Sequence, residues 1–187
     1  MTNCITIALG SNVTSSYGSP KETILHAIRV IGDSFGVVTK NSRILRTPSF
    51  PAGSGPDYAN AVIRFDGKNE AARILAILHE IEAEFGRERV ERWGQRTLDL
   101  DLLCVGDEVL PDRTLLQEWI DLPLDRQTKE APDQLILPHP RIQDRAFVLV
   151  PMAEVAPEWV HPVLGRSVTQ MRDALPSELL DEVVEYV

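Results

Sequence analysis

The sequence predicts an α+β fold of the ferredoxin-like kind: a β-α-β-β-α-β sheet with helices on one face, plus a C-terminal helical extension and an insertion near 111–134. Three observations predict it. Apolar patterns of period two and period 3.6 alternate in that order over roughly the first hundred residues. Gly or Pro closes most of them. The 187 residues, 43% of them apolar, fit one domain spanning 1–187 with its own core.

The first strand covers residues 3–9, with Ile5, Ile7 and Leu9 on one face and Cys4, Thr6 and Ala8 on the other, before Gly10-Ser11-Asn12 ends it. Ser19-Pro20-Lys21-Glu22 reads as a capping box with proline at the first helical position. Ile24, Ile28, Ile31 and Phe35 follow at helical spacing, and Gly36 stops the helix. A strand is expected from about Val37 to Arg46, then an irregular Pro- and Gly-rich segment from Thr47 to Pro56. From Tyr58 the alternation returns: Ala59, Ala61, Ile63 and Phe65 face one way, and Tyr58, Asn60, Val62 and Arg64 the other. A second helix, Glu70 to Phe85, buries Ile74, Leu78, Ile81 and Phe85, with Gly86 as its cap. The last strand of the unit runs from Thr97 to Cys104, leaving the sheet face opposite the helices open to ligands. Residues 111–134 read as an excursion from the core with an apolar patch at Trp119, Ile120 and Leu122. Helical patterns at Arg145–Val155 and Ser167–Val184 complete the chain.

Composition narrows the function. Nineteen basic against 28 acidic residues give a net charge of −9, which opposes binding to nucleic acid, so a polyphosphate ligand must meet a local basic cluster. Cys4 and Cys104 lie in apolar runs without metal or redox spacing and read as buried thiols. The N-terminus has no signal-peptide pattern and no apolar run approaches the roughly 18 residues of a membrane span, so the expectation is a cytoplasmic protein with no membrane association. No obligate protein partner is evident.

The sharpest chemical feature is Arg96-Thr97-Leu98-Asp99-Leu100-Asp101-Leu102-Leu103. If the leucines at 98, 100 and 102 face the core, Asp99 and Asp101 share the opposite face about 7 Å apart, a spacing at which two carboxylates can hold magnesium. A strand with an acidic solvent face satisfies the same pattern. Arg87, Arg89, Arg92 and Arg96 crowd beside this pair together with Trp93, Gly94 and Gln95. Arginine forks match phosphate oxygens, and a tryptophan face supports a flat ring. An Arg/Glu loop paired through Glu88 and Glu91 is the plainer explanation, although surface pairs stabilise little.

The stretch from Gly86-Arg87 through Arg92-Trp93-Gly94-Gln95-Arg96-Thr97-Leu98-Asp99-Leu100-Asp101 resembles the signature of the 6-hydroxymethyl-7,8-dihydropterin pyrophosphokinases. Ala8-Leu9-Gly10-Ser11-Asn12, Arg46-Thr47-Pro48 with Asp57-Tyr58-Ala59-Asn60-Ala61, and Leu137-Pro138-His139-Pro140-Arg141 with Asp144-Arg145-Ala146-Phe147 are similar to further family blocks in the same order. The resemblance spans nearly the whole chain except 111–134. It implies that Asp99 and Asp101 hold two magnesium ions on the phosphates of ATP, the co-substrate, with Arg87 and Arg96 joining them as catalytic groups. Arg89, Arg92 and Trp93 lie with them in a loop that closes over ATP, which Glu82, His139 and Arg145 also meet. Tyr58 and Phe147 are implied to sandwich the pterin, Asn60 to hydrogen-bond its edge, and Thr47, Pro48 and Phe50 to line it. His79 stands where many relatives carry glutamine.

Other classes leave traces to weigh. No G-x-x-x-x-G-K-[ST] segment occurs, which argues against a P-loop enzyme. His79-Glu80 begins an H-E-x-x-H pattern that Ala83 breaks. A single-strand RNA binder of the same fold class would need basic flanks around exposed aromatics. A noncatalytic relative would have no need of the paired aspartates and the arginine set.

Overall fold

The computed structural model describes residues 2–49, 53, 55–86, 96–127 and 129–187. Among them, β1 (Asn3–Ser11) is an interior strand of the sheet, followed by α1 (Pro20–Phe35), β2 (Lys40–Asn41), β3 (Leu45–Thr47), β4 (Tyr58–Gly67), α2 (Ala71–Glu84) and β5 (Asp99–Val105). Then come α3 (Arg113–Ile120), α4 (Leu124–Gln127), a 3₁₀ turn (Ile142–Asp144), α5 (Ala146–Val155), α6 (Val168–Asp173), α7 (Ser177–Asp181) and β6 (Val184–Glu185). The sheet is antiparallel with order β5-β1-β4-β3-β6, and β2 also pairs with β4.

Local chemistry explains where these elements begin and end. At α1, the Ser19 hydroxyl accepts the Glu22 N–H while the Glu22 carboxylate accepts the Ser19 N–H at 2.7 Å, with Pro20 opening the helix. Gly36 closes it in the left-handed conformation at φ 63°, a region that strains any side chain with a Cβ. The strand expected over 37–46 is two short strands instead. Ser42 is the cause: its backbone N–H donates to the Val62 carbonyl, but its hydroxyl, rather than a carbonyl, accepts the Val62 N–H, both at 2.9 Å, and the ladder breaks there. The helix expected over 167–184 is likewise divided. Pro176 cannot continue α6 and starts α7, after which the chain turns extended and β6 pairs with β3.

The largest correction concerns the faces of the sheet. Ile5, Ile7 and Leu9 of β1, Ala59, Ala61, Ile63 and Phe65 of β4, and Leu100 and Leu102 of β5 pack against α1 and α2 as expected. The opposite face is not open along its length. Val62, Leu103 and Cys104 pack there against Val148, Leu149, Met152 and Val155 of α5 and against α6. α5 is apolar over most of its circumference, with Glu154 as its one charged residue. Helices therefore cover both faces, and the sheet has six strands where a simple ferredoxin unit has four. A register shift in the β1–β5 pairing inserts one extra residue on β5 at Leu103, so Leu103 and Cys104 both enter this second core. Burial pushes the Cys104 thiol up to about 12, consistent with an inert packing role.

Candidate functional site

The strand register builds the site at the end of the sheet that α5 leaves uncovered. On β1, Gly10 lies between Asn60 of β4 and Asp99 of β5, and Ala8 one row further along lies between Val62 and Asp101. All of these point to the face opposite α1 and α2. A Cβ placed on Gly10 would sit 3.5 Å from Asn60 Oδ1 and 3.9 Å from both Asp99 Cβ and Tyr58 Cδ1. Gly10 is thus the floor on which the two groups of sequence-predicted residues meet, Tyr58 and Asn60 on one side and the aspartates on the other.

Each aspartate faces an arginine. Arg96 forms a close ion pair with Asp99, and the Arg145 guanidinium stands 3.7 Å from the Asp101 carboxylate. Burial opposes the charge on Arg96, but Asp99, reinforced by Tyr58 and Asp101, outweighs it and raises its pKa further above the ordinary value. Arg145 also lies 5.5 Å above the Phe147 ring, which is 38% exposed at the start of α5. His139 lies nearby: its N–H donates to the Leu103 carbonyl at 2.8 Å, and its Nδ1 accepts the Arg141 N–H at 3.1 Å. Desolvation first, then the charges of Arg145 and Arg141, push its pKa down to about 3. The ring is therefore neutral, and with Nδ1 occupied as an acceptor its proton sits on Nε2.

On the other side, Asn60 is 6% exposed and its Nδ2 donates to Thr47 Oγ1 at 2.8 Å, which turns Oδ1 toward Gly10. Pro48 follows at the exposed end of β3. Ser49 is tied to Gly55: its hydroxyl donates to the Gly55 carbonyl at 3.0 Å and accepts the Gly55 N–H at 3.1 Å. Glu82 is not a solvated helix glutamate. It is 2% exposed and accepts the Leu100 N–H at 2.7 Å, holding β5 between the two aspartates. His79 lies on the exposed face of α2. Phe50, Arg87, Arg89, Arg92 and Trp93 lie outside the described residues.

Gly10, Asn12, Ser49 and Arg141 went unread in the sequence as functional positions. Asn12 is 5% exposed; its Oδ1 accepts the Arg96 N–H at 2.8 Å and its own N–H donates to the Arg96 carbonyl at 3.1 Å. That double bond fixes Arg96 against the turn after β1. Only the polar-face position of Gly10 in the alternation offered a signal; Asn12, Ser49 and Arg141 act through partners far away in sequence.

Among the described residues no three His, Cys, Asp or Glu side chains gather as a metal centre. The donors at hand are two carboxylates on one face, a hard oxygen set that fits magnesium when phosphate and water complete the shell. An open groove of about 920 Å³ lies elsewhere, lined by Arg113, Gln117, Trp119, Leu122 and Arg126. None of those five residues is buried, so the chemistry belongs to the sheet face. No helix among the described residues is long and apolar enough to cross a membrane.

Comparison with known proteins places the chain in a family. The sequence profile of the 7,8-dihydro-6-hydroxymethylpterin-pyrophosphokinase (HPPK) family matches residues 6–157. The chain is 33% identical over 182 residues to a 2-amino-4-hydroxy-6-hydroxymethyldihydropteridine pyrophosphokinase of Pseudomonas aeruginosa, covering 95% of this chain and 94% of that one. With the protein of that name from Haemophilus influenzae it shares 33% over 162 residues, 83% of each chain. The one from Synechocystis is 40% identical over 116 residues, 62% of this chain and 49% of its own length. Among solved structures, a Plasmodium falciparum HPPK-DHPS triple mutant with STZ-DHP superposes with a TM-score of 0.70 at 12% identity, over 100% of this chain and 46% of that one. At that identity the likeness speaks for the fold.

Proposed function

Because the chain belongs to the 7,8-dihydro-6-hydroxymethylpterin-pyrophosphokinase family, we propose that it transfers pyrophosphate from ATP to the hydroxymethyl group of 6-hydroxymethyl-7,8-dihydropterin, releasing AMP, as a step of folate synthesis. The observation that carries this reading is the convergence on Gly10. Asn60 and Tyr58 border it from β4 and Asp99 from β5, so a flat polar ring and a polyphosphate can meet over one floor.

The roles follow from the contacts. Asn60 Oδ1, turned toward the floor by the bond to Thr47, suits an N–H on the edge of a pterin. Tyr58 and the part-exposed Phe147 supply faces for stacking. The guanidinium groups of Arg96 and Arg145 can donate to phosphate oxygens in exchange for their present carboxylate partners. The amino end of α5, which follows Arg145, adds the positive end of a helix dipole. Neutral His139 offers an Nε2–H donor rather than a charge. Glu82 and Asn12 hold β5 and Arg96 in place.

Asp99 and Asp101 would hold the magnesium ions, which supply charge neutralisation on the phosphates when bound. The hydroxymethyl oxygen forms a bond to the β-phosphorus of ATP as the bond from that phosphorus to the α,β-bridging oxygen breaks, AMP leaves and the hydroxyl proton is lost to solvent. The chain's own contribution is alignment and charge placement.

We also read the sheet as a ferredoxin-like unit. The order β5-β1-β4-β3 and the two helices α1 and α2 on a shared face support that reading, with β2, β6 and the α5–α6 layer as additions.

Nucleotide chromatography tests the activity. With ATP, magnesium and the reduced hydroxymethylpterin, AMP should appear one-to-one with the pyrophosphorylated pterin and be absent without pterin. Stoichiometric ADP, or nucleotide turnover indifferent to pterin, would refute the assignment.

A further inference from the structure

The segment 111–134 has no part in the chemistry described so far, yet two ties bind it to the site. Its ends meet at a bridge in which Leu110 and Leu137 exchange backbone hydrogen bonds of 2.9 and 3.1 Å, immediately before Pro138 and His139. The second tie is Arg141. Its guanidinium donates to the carbonyls of Trp119 at 2.6 Å and Ile120 at 3.2 Å, which end α3, with the Asp144 carboxylate at 3.5 Å. Terminal helix carbonyls have no partner within the helix and carry the negative end of its dipole, so a cation there satisfies both.

Arg141 is a demanding choice for a mere surface contact. It is 7% exposed, and burial pushes its pKa down against the pull of Asp144. Its backbone faces the site: the Arg141 N–H bonds His139 Nδ1, and Arg141 opens the 3₁₀ turn that ends at Arg145. α3 in turn carries a fully buried side chain, Leu116.

We infer that Arg141 is a positioning residue through which the 111–134 segment, docked by α3, buttresses His139 and Arg145 on the phosphate side of the site. The inference rests on the proposed function only in taking the ligand on that side to be the nucleotide. It gives the insertion a larger role in nucleotide binding than in pterin binding, since Tyr58, Asn60 and Thr47 are anchored on β3 and β4 and of the pterin-facing residues only Phe147 follows Arg145.

The test uses the full chain with Arg141→Met, Arg141→Lys and Leu116→Ala, the last loosening α3 without altering Arg141. Calorimetry reads the Kd of a nonhydrolysable ATP analogue with magnesium, and separately of reduced hydroxymethylpterin; long-range ¹H–¹⁵N spectra read the His139 ring. Arg141→Met should weaken the nucleotide roughly tenfold, the scale of lost alignment, leave the pterin within about twofold and shift the His139 Nδ1 signal. Leu116→Ala should do the same in the same direction. Arg141→Lys should recover part of the loss, because an ammonium can still cap one carbonyl. Should Arg141→Met not fold, the Lys and Leu116→Ala variants carry the same readouts. Parent-like nucleotide Kd and His139 signals, or equal loss for both ligands, would overturn the inference alone. A parent that binds neither ligand overturns the proposed function and the inference with it.

Discussion

Replacing Gly10 with alanine should make the protein more stable and less active at once. Gly10 lies within β1, where its φ is not positive, and a glycine inside a strand costs roughly 0.5–1 kcal/mol in backbone entropy relative to alanine. The new Cβ would meet Asn60 Oδ1 at 3.5 Å and Asp99 and Tyr58 carbons at 3.9 Å, ordinary van der Waals contacts that force no neighbour to move. The fold should therefore keep most of that gain, a rise in Tm of about 2 °C for a chain of this size. The same methyl stands up from the floor between the pterin side and the phosphate side. Lifting either reactant by about 1 Å costs on the order of a hundredfold in rate, so turnover should fall between about tenfold and a hundredfold. Thermal melting and AMP release measured on the same preparation test both halves. Turnover within about twofold of the parent would show that nothing reacts over Gly10. A lower Tm would show that the backbone there is not ordinary strand.

Asp99→Asn and Asp101→Asn should each lower turnover by at least about a hundredfold while Tm stays within about 3 °C, because each removes a ligand charge and leaves the leucine face of β5 intact; near-parent turnover in saturating magnesium would refute the metal role. Glu82→Ala should destabilise the fold by about 2–3 kcal/mol in urea titrations, since it leaves the Leu100 N–H buried without its acceptor, and Glu82→Gln should recover most of that. Stability should also fall in acid through His161, which is fully buried with its Nδ1 accepting the Val163 and Leu164 N–H groups. Burial lowers its pKa from 6.5 to about 4, so the unfolded chain takes up the proton first: this contribution is intact above pH 6.5 and drains away as pH falls toward 4, by about 3 kcal/mol. His161→Asn, which keeps an acceptor for those amides, should flatten that slope, and an unchanged slope would assign it to other groups.

Much of the fold was legible because β1, β4 and the first half of β5 alternate and α1 carries its own cap. The same alternation correctly placed Asp99, Asp101, Tyr58 and Asn60 on one face before any pairing was known. What escaped were features set by partners distant in sequence. Nothing local in Ser42 announces that its hydroxyl will take the place of a carbonyl opposite Val62. Glu82 reads as a surface glutamate on a helix until β5 is docked, after which its carboxylate meets the Leu100 N–H. The second helical layer was missed for a related reason: a mostly apolar helix such as α5 shows that it is buried but not against which face.

The position of the site follows from the sizes of three residues on that face of β1. Thr6, Ala8 and Gly10 point the same way and shrink toward the open end of the sheet. At the level of Thr6 and Ala8, α5 closes down on Val62, Leu103 and Cys104, and Ala8 is small enough to pack beneath it. One row on, at Gly10, the space a side chain would have filled is bordered by Asn60, Asp99 and Tyr58, while Arg145, at the amino end of α5, reaches Asp101. A larger residue at position 8 would lift the helix that brings Arg145 to Asp101; a larger one at position 10 would occupy the space where Asn60 and Asp99 face each other. The floor and the helix that bounds it thus depend on the same few missing side-chain atoms. For that reason Gly10, which bears no functional group, should still prove sensitive in activity assays, though less so than the aspartates.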